Sequence, residues 1–220
     1  MHKIVHISKG KYALSKRGQR FIFVLCLLFI LILAFLDKSY FNYSFQSWHE
    51  NKTQSASSDI EKYHANTFTV TNVVDGDTLD INCPDNQNIY TRIRLLGIDT
   101  PEMNTESGEM YFAREASVFA QKSALGKQVT IYLDEISDTR DKYDRLLAYV
   151  LLPDSVFLNE TLLSEGYAYA YTRYKHSFYN KYNQLESRAR SNKKGLWLNV
   201  KPEQFPQWFQ DSKKNNKISR

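Results

Sequence analysis

The chain has 220 residues, 42% of them hydrophobic, two cysteines, and a formal net charge of +5. That length allows one domain of ordinary size with an appendage, and two cysteines exclude a disulfide scaffold, so a buried core must hold the fold. Bulk charge is excluded as an argument for a polyanion partner: residues 1–36 hold six Lys/Arg and no acid and residues 188–220 nine against two, but residues 37–187 hold 14 against 22. To handle a polyanion, such an acidic body needs a bound cation or a local cluster of arginines.

Residues 1–20 form a basic segment that is expected to stay cytoplasmic. Phe21 to Leu36 is an unbroken run of sixteen apolar residues. As a helix it reaches roughly 24 Å, long for a signal-peptide core and short for a full span. It reads as a transmembrane signal anchor, a cleavable export signal or a buried helix. Tyr40, Phe41 and Tyr43 follow it where a small-residue cleavage site would stand, which favours the anchor. The expected location is therefore membrane-anchored with the C-terminal part exported to the periplasmic or extracellular side, or secreted if the segment is cleaved. Residues 37–66 are polar, lack an apolar period and read as a linker.

The compact domain is expected over residues 67–198. Phe68 to Val74 alternates like a strand, Asp75-Gly76 supplies a turn, and Thr78 to Ile81 reads as the partner strand. Ile89 to Ile98 is a third strand, with Gly97 marking a bulge or a close backbone approach and Thr100-Pro101 ending it. A helix over 109–125 stops at Gly126, strands follow at 128–133 and 146–152, and further helices over 156–165 and 177–194 stop at Gly166 and Gly195. Five short strands with three helices fit an α+β fold, a five-stranded Greek-key barrel of the OB type. Residues 199–220 form a basic tail expected to fray.

Three clusters bear chemistry: Asp75-Gly76-Asp77-Thr78, Arg94-Leu95-Leu96-Gly97-Ile98-Asp99-Thr100-Pro101-Glu102, and Asp141-Lys142-Tyr143-Asp144-Arg145. Singly they are a hairpin turn, a strand exit and a solvated loop. In this order, with Leu158-Asn159-Glu160 and Gly195-Leu196-Trp197 behind them, they resemble the staphylococcal nuclease (thermonuclease) family over residues 67–198. The resemblance implies calcium-dependent hydrolysis of phosphodiester bonds in DNA and RNA. It assigns calcium to the carboxylates of Asp77 and Asp99 and the backbone carbonyl of Thr100, the general base to Glu102, and the phosphate clamp to Arg94 and Arg145.

The residue types suit that chemistry. Calcium takes six to eight oxygens, so two carboxylates and a carbonyl leave room for water and a phosphate. Arginine forks match a phosphate bidentately, where lysine offers a point charge. Tyr143 and Tyr174 are candidate contacts to substrate bases, since stacking tolerates any sequence. Asp144 stands where the family usually has glycine, and its charge adjoins Arg145. None of the five histidines falls in a motif. The alternative is a catalytically inactive OB-type module that binds nucleic acid or protein. No obligate protein partner is implied, and a monomer is expected.

Overall fold

The computed structural model describes residues 52–106 and 108–211, with a few isolated positions between 24 and 50. It divides into two units, Met1–Gln54 and Ser55–Arg220. In the first, Val24, Leu25, Leu28, Phe29, Ile32, Leu33, Phe35 and Leu36 are helical and exposed. Half of the segment 21–36, and all of 1–20, lie outside the described residues. Among the described residues no helix is long and apolar enough to cross a membrane.

The second unit is built on seven strands. They are β1 (Thr67–Val73), β2 (Thr78–Ile81), β3 (Thr91–Leu95), β4 (Ile98–Asp99), β5 (Gln128–Tyr132), β6 (Leu146–Leu151) and β7 (Tyr169–Ala170). Five close into a barrel in the order β1-β2-β3-β6-β5, and β4 pairs with β7 in a separate two-stranded sheet. All barrel neighbours run antiparallel except β3 and β6, where Arg94 lies opposite Leu147. β1 pairs with β5 through Thr67–Thr69 and with β2 through Val70–Val73, with an irregularity between Val70 and Asn72. An irregularity of that kind bends a strand, which is what lets one strand serve both edges and close the barrel.

The single strand expected over 89–98 is two elements. Leu96-Gly97 turns between them with Gly97 at φ +77, and a Cβ there would lie 2.5 Å from the His176 ring. The turn frees Ile98 and Asp99 from the barrel to meet β7.

The barrel interior is apolar, with Val70, Leu79, Ile81, Ile93, Leu95, Ile131, Leu146 and Val150 all nearly inaccessible. Helix α2 (Ala113–Ala124) packs small residues, Ala120 and Ala124, against it, and α3 (Leu158–Ser164) adds Leu158, Leu162 and Leu163. A fourth helix, α4 (Tyr179–Ser191), packs on α3. Residues 55–63 are also helical (α1), although composition alone reads them as linker. Their anchor is Tyr63, fully buried, whose hydroxyl bonds Thr91 Oγ1 at 3.0 Å. Asp59, also buried, accepts from Arg140 Nη2 at 2.7 Å.

The tail is likewise folded where it is described. Residues 202–204 form a 3₁₀ turn and 207–211 a helical turn. Phe209 joins Tyr169, Ala189, Leu196 and Trp197 in a second apolar cluster, over which the Arg190 guanidinium lies 4.9 Å from the Trp197 ring. Three aromatic rings and a cation give this segment the apolar anchorage that a fraying terminus lacks.

Asn159, fully buried, ties helix to barrel. Its Oδ1 accepts from Val150 N–H at 3.0 Å, and its Nδ2 donates to Leu96 O at 3.0 Å and Ala148 O at 3.3 Å. Replacing it leaves the Val150 N–H and the Leu96 carbonyl unpaired, at about 1–3 kcal/mol each before relaxation, while Ala148 O keeps the Leu96 N–H at 2.9 Å. Asn159→Ala is expected to lower unfolding free energy by roughly 3 kcal/mol in a denaturant titration; a change below about 1 kcal/mol would show that water replaces the side chain.

Candidate active site

The site lies where the β1–β2 turn meets the end of β3 and β4. Asp77, 3% exposed, receives the backbone N–H and the hydroxyl of Thr100 on Oδ2 at 2.7 and 3.1 Å, and the Thr78 hydroxyl on Oδ1 at 3.2 Å. Gly76 makes this approach feasible: a Cβ there would stand 2.7 Å from Thr100 Oγ1. Asp75 Oδ1 accepts from Asp77 N–H at 3.0 Å, closing the turn on itself.

Arg94 joins this turn to β4. Its Nη1 lies 3.1 Å from Asp77 Oδ2 and its Nη2 2.6 Å from Asp99 Oδ1. Nη1 also donates to Leu95 O and Ile98 O at 3.1 and 2.9 Å, so the guanidinium straps the Leu96-Gly97 turn from within. Burial would by itself lower the pKa of this guanidinium, but Asp77, Asp99, Asp75 and Glu102 outweigh it and hold the charge. Asp99 Oδ2, in turn, accepts the indole N–H of Trp208 at 2.7 Å.

The acids outnumber the cation. Burial raises the Asp75 and Asp99 carboxyls above the ordinary range, and Asp77 raises both further, against the opposing pull of Arg94. Glu102 is solvent-accessible on its outer side, yet partial burial and repulsion from Asp77, Asp75 and Asp99 push it up to about 7. Four carboxyls facing one guanidinium form a site of excess negative potential that an added cation would relieve.

For calcium the donor set is chemically apt, being all oxygen. Asp77 Oδ1, with one neutral donor, and both oxygens of Asp99, with one donor each, retain lone-pair capacity. Among the described residues no group of three or more His, Cys, Asp or Glu side chains surrounds a common metal position. Two carboxylates and a carbonyl would thus leave most of the shell to water and substrate.

Arg145 is placed differently. It precedes Leu146, which lies opposite Ile93 in the β3–β6 pairing, so it starts the strand beside the one bearing Arg94. Its Nε and Nη2 both reach Asp141 Oδ2 at 2.7 Å, which closes its fork within its own loop. Asp144 does adopt the left-handed conformation, φ +63, that the usual glycine would supply. Its carboxylate turns from Arg145 toward Asn86, 3.0 Å, and Arg140, 3.6 Å. Tyr143 is 68% exposed with its ring 5.5 Å from the Arg145 guanidinium, and Tyr174 is 69% exposed. Tyr169 is wholly buried and Tyr167 stacks on Phe119 at 4.2 Å, so these two belong to the packing.

Two contributors to the site's framework escape a reading of the sequence: His176 lies in no motif, and Trp208 lies beyond the expected domain. His176 is buried behind Gly97 with its Nδ1 2.9 Å from the Tyr149 hydroxyl, which donates to Asp134. That network shapes the turn and takes no part in the acid cluster.

A closed five-stranded barrel with an arginine bracketed by carboxylates at a strand mouth defines a class of small hydrolytic or nucleic-acid-binding β-barrels. The comparison with known proteins narrows it. Residues 92–199 match the family model of the staphylococcal nuclease homologue. The thermonuclease of Staphylococcus hyicus is 30% identical over 145 residues, covering 65% of this chain and 82% of the relative. An uncharacterized endonuclease of Escherichia coli is 31% identical over 140 residues, covering 64% and 81%. An uncharacterized protein of Methanocaldococcus jannaschii is 32% identical over 205 residues, covering 81% and 94%. The chain belongs to the staphylococcal nuclease family.

The raised Glu102 carboxyl has a consequence for stability. A carboxyl with a higher pKa in the fold than in the unfolded chain holds its proton more tightly when folded, so stability is full below the ordinary carboxylate range and is lost as pH rises through the folded pKa. With chelator present, the stability of the wild type relative to Glu102→Gln is expected to fall as pH rises from the ordinary range of about 4.5 through about 7. Paired thermal melts across that interval measure it; a wild type that gains stability relative to Glu102→Gln as pH rises would contradict the crowding of acids.

Proposed function

We propose that this chain is a calcium-dependent, sequence-nonspecific nuclease that hydrolyses the phosphodiester bonds of DNA and RNA. The observation that carries the proposal is the convergence of Asp77, Asp99 and Glu102 on the Arg94 guanidinium. Calcium bound by Asp77, Asp99 and the main-chain carbonyl of Thr100 would supply Lewis-acid stabilisation of a phosphoryl oxygen. Glu102, poised near neutrality, takes a proton from the attacking water as the water oxygen bonds to phosphorus; the ester P–O bond breaks, and the departing alkoxide takes a proton from solvent. Arg94 and Arg145 exchange their carboxylate partners for the phosphate oxygens and hold the charge that builds there. Tyr143, exposed two residues before Arg145, and Tyr174, exposed after β7, offer faces on which bases stack without regard to identity.

The proposal extends to location. The apolar run 21–36, its basic flank and the exposure of its described side chains support a helix that holds the nuclease unit at a membrane, with that unit on the exported side. An acidic body would keep unspecific contact with polyanions low, leaving capture to the arginines and the bound cation.

Full-length protein in detergent, supplied with single-stranded DNA, duplex DNA or RNA, is expected to cut all three with calcium and none with chelator. Glu102→Gln should lower the rate about 10²–10⁴-fold without loss of fold, and Arg145→Ala about 10²–10³-fold with little change in the melting midpoint. Calcium-supplied, folded protein that binds DNA without cutting it would establish the inactive binding module instead. Wild-type turnover in Glu102→Gln would remove that residue as the base.

A further inference from the structure

We infer that Trp208, outside the barrel and beyond the matched residues 92–199, is a positioning residue for the calcium-binding carboxylate of Asp99. The inference rests on the nuclease reading above and deepens it. The Trp208 Nε1–H donates to Asp99 Oδ2 at 2.7 Å while Arg94 Nη2 donates to Oδ1 at 2.6 Å. With a donor on each oxygen the carboxylate has one orientation, and each oxygen keeps a lone pair for a cation. The two donors differ in a way that matters. Arg94 is charged and repels an arriving cation, whereas the indole is neutral and stays in place when a cation is bound. A neutral donor on a ligand carboxylate is the usual means by which an outer hydrogen bond fixes a metal ligand.

The indole is itself held. Its ring meets the edge of Tyr171 at 4.8 Å and Phe209 at 5.5 Å, and Phe209 packs on Tyr169 at 5.2 Å. Tyr169 is the residue opposite Asp99 in the β4–β7 pair. The strand that bears the acid and the turn that bears its donor therefore rest on the same aromatic cluster, which fixes their separation. A merely space-filling aromatic would need none of this registry.

The test compares two full-length variants by calcium titration calorimetry and by melting in chelator. Trp208→Phe keeps the ring packing and removes the donor; Phe209→Leu loosens the packing and keeps the donor. Trp208→Phe is expected to weaken calcium binding about 10–100-fold, with kcat at saturating calcium much less affected. Phe209→Leu is expected to lower the melting midpoint more than Trp208→Phe does and to weaken calcium binding less. Wild-type protein that takes up no calcium overturns the nuclease reading and this inference together. Wild-type binding that Trp208→Phe leaves unchanged overturns this inference alone. If Trp208→Phe does not fold, the indole N–H resonance of Trp208 in the wild type decides: a shift that tracks calcium occupancy sustains the contact, and indifference to calcium overturns it.

Discussion

The Arg94 guanidinium, shared between Asp77 and Asp99, is the interaction on which the site depends. Asp77 belongs to a hairpin turn and Asp99 to a two-residue strand outside the barrel, and neither element would hold the other by apolar contact alone. Burying either acid without a partner would cost several kcal/mol. Arg94 meets both, and the two carbonyls it also reaches, those of Leu95 and Ile98, define the turn between β3 and β4. One cation thus sets the distance between the two acids and the path of the chain joining them. The Thr100 N–H and hydroxyl complete the arrangement by fastening the far side of that path to Asp77.

The same economy leaves a residual charge. Asp75 and Glu102 lie close enough to feel Asp77 and Asp99, yet have no second guanidinium. Stability alone would favour fewer acids here. A cluster that is costly in the free protein and relieved by a bound cation is a pattern associated with function. The remainder of the molecule works to keep the cluster from relaxing: Asn159 pins the Leu96 carbonyl, His176 backs Gly97, and Arg140, paired with Asp59 and Asp85, anchors the loop that carries Arg145.

Much of this architecture is legible in the amino-acid order. The alternation in Phe68–Val74, the Asp75-Gly76 turn and the glycines at 126 and 166 mark elements close to where they occur, because those signals are local. Asp77, Arg94, Asp99, Thr100 and Glu102 are recognisable because linked motifs carry them. What escapes is long-range. The helical character of residues 55–63 depends on Tyr63 finding Thr91 and on Asp59 finding Arg140, and a polar composition conceals both. The break of the third strand at Gly97 depends on a histidine 79 positions later that fills the space a side chain would need. Phe205, Trp208 and Phe209 look isolated in a basic tail, and only the fold shows that Tyr169 and Trp197 await them.

The bond between Trp208 and Asp99 spans 109 positions. A chain made from its N-terminus closes the barrel once β6 is complete at Leu151, long before the donor to Asp99 exists. During that interval the barrel can be intact while its acid is held from one side only. A chain clipped after the barrel would stay in that condition. Completion of the centre is thus timed by the length of the polypeptide: among the described residues, the last folded turn to be made is the one that sets the geometry of a residue made in the first half.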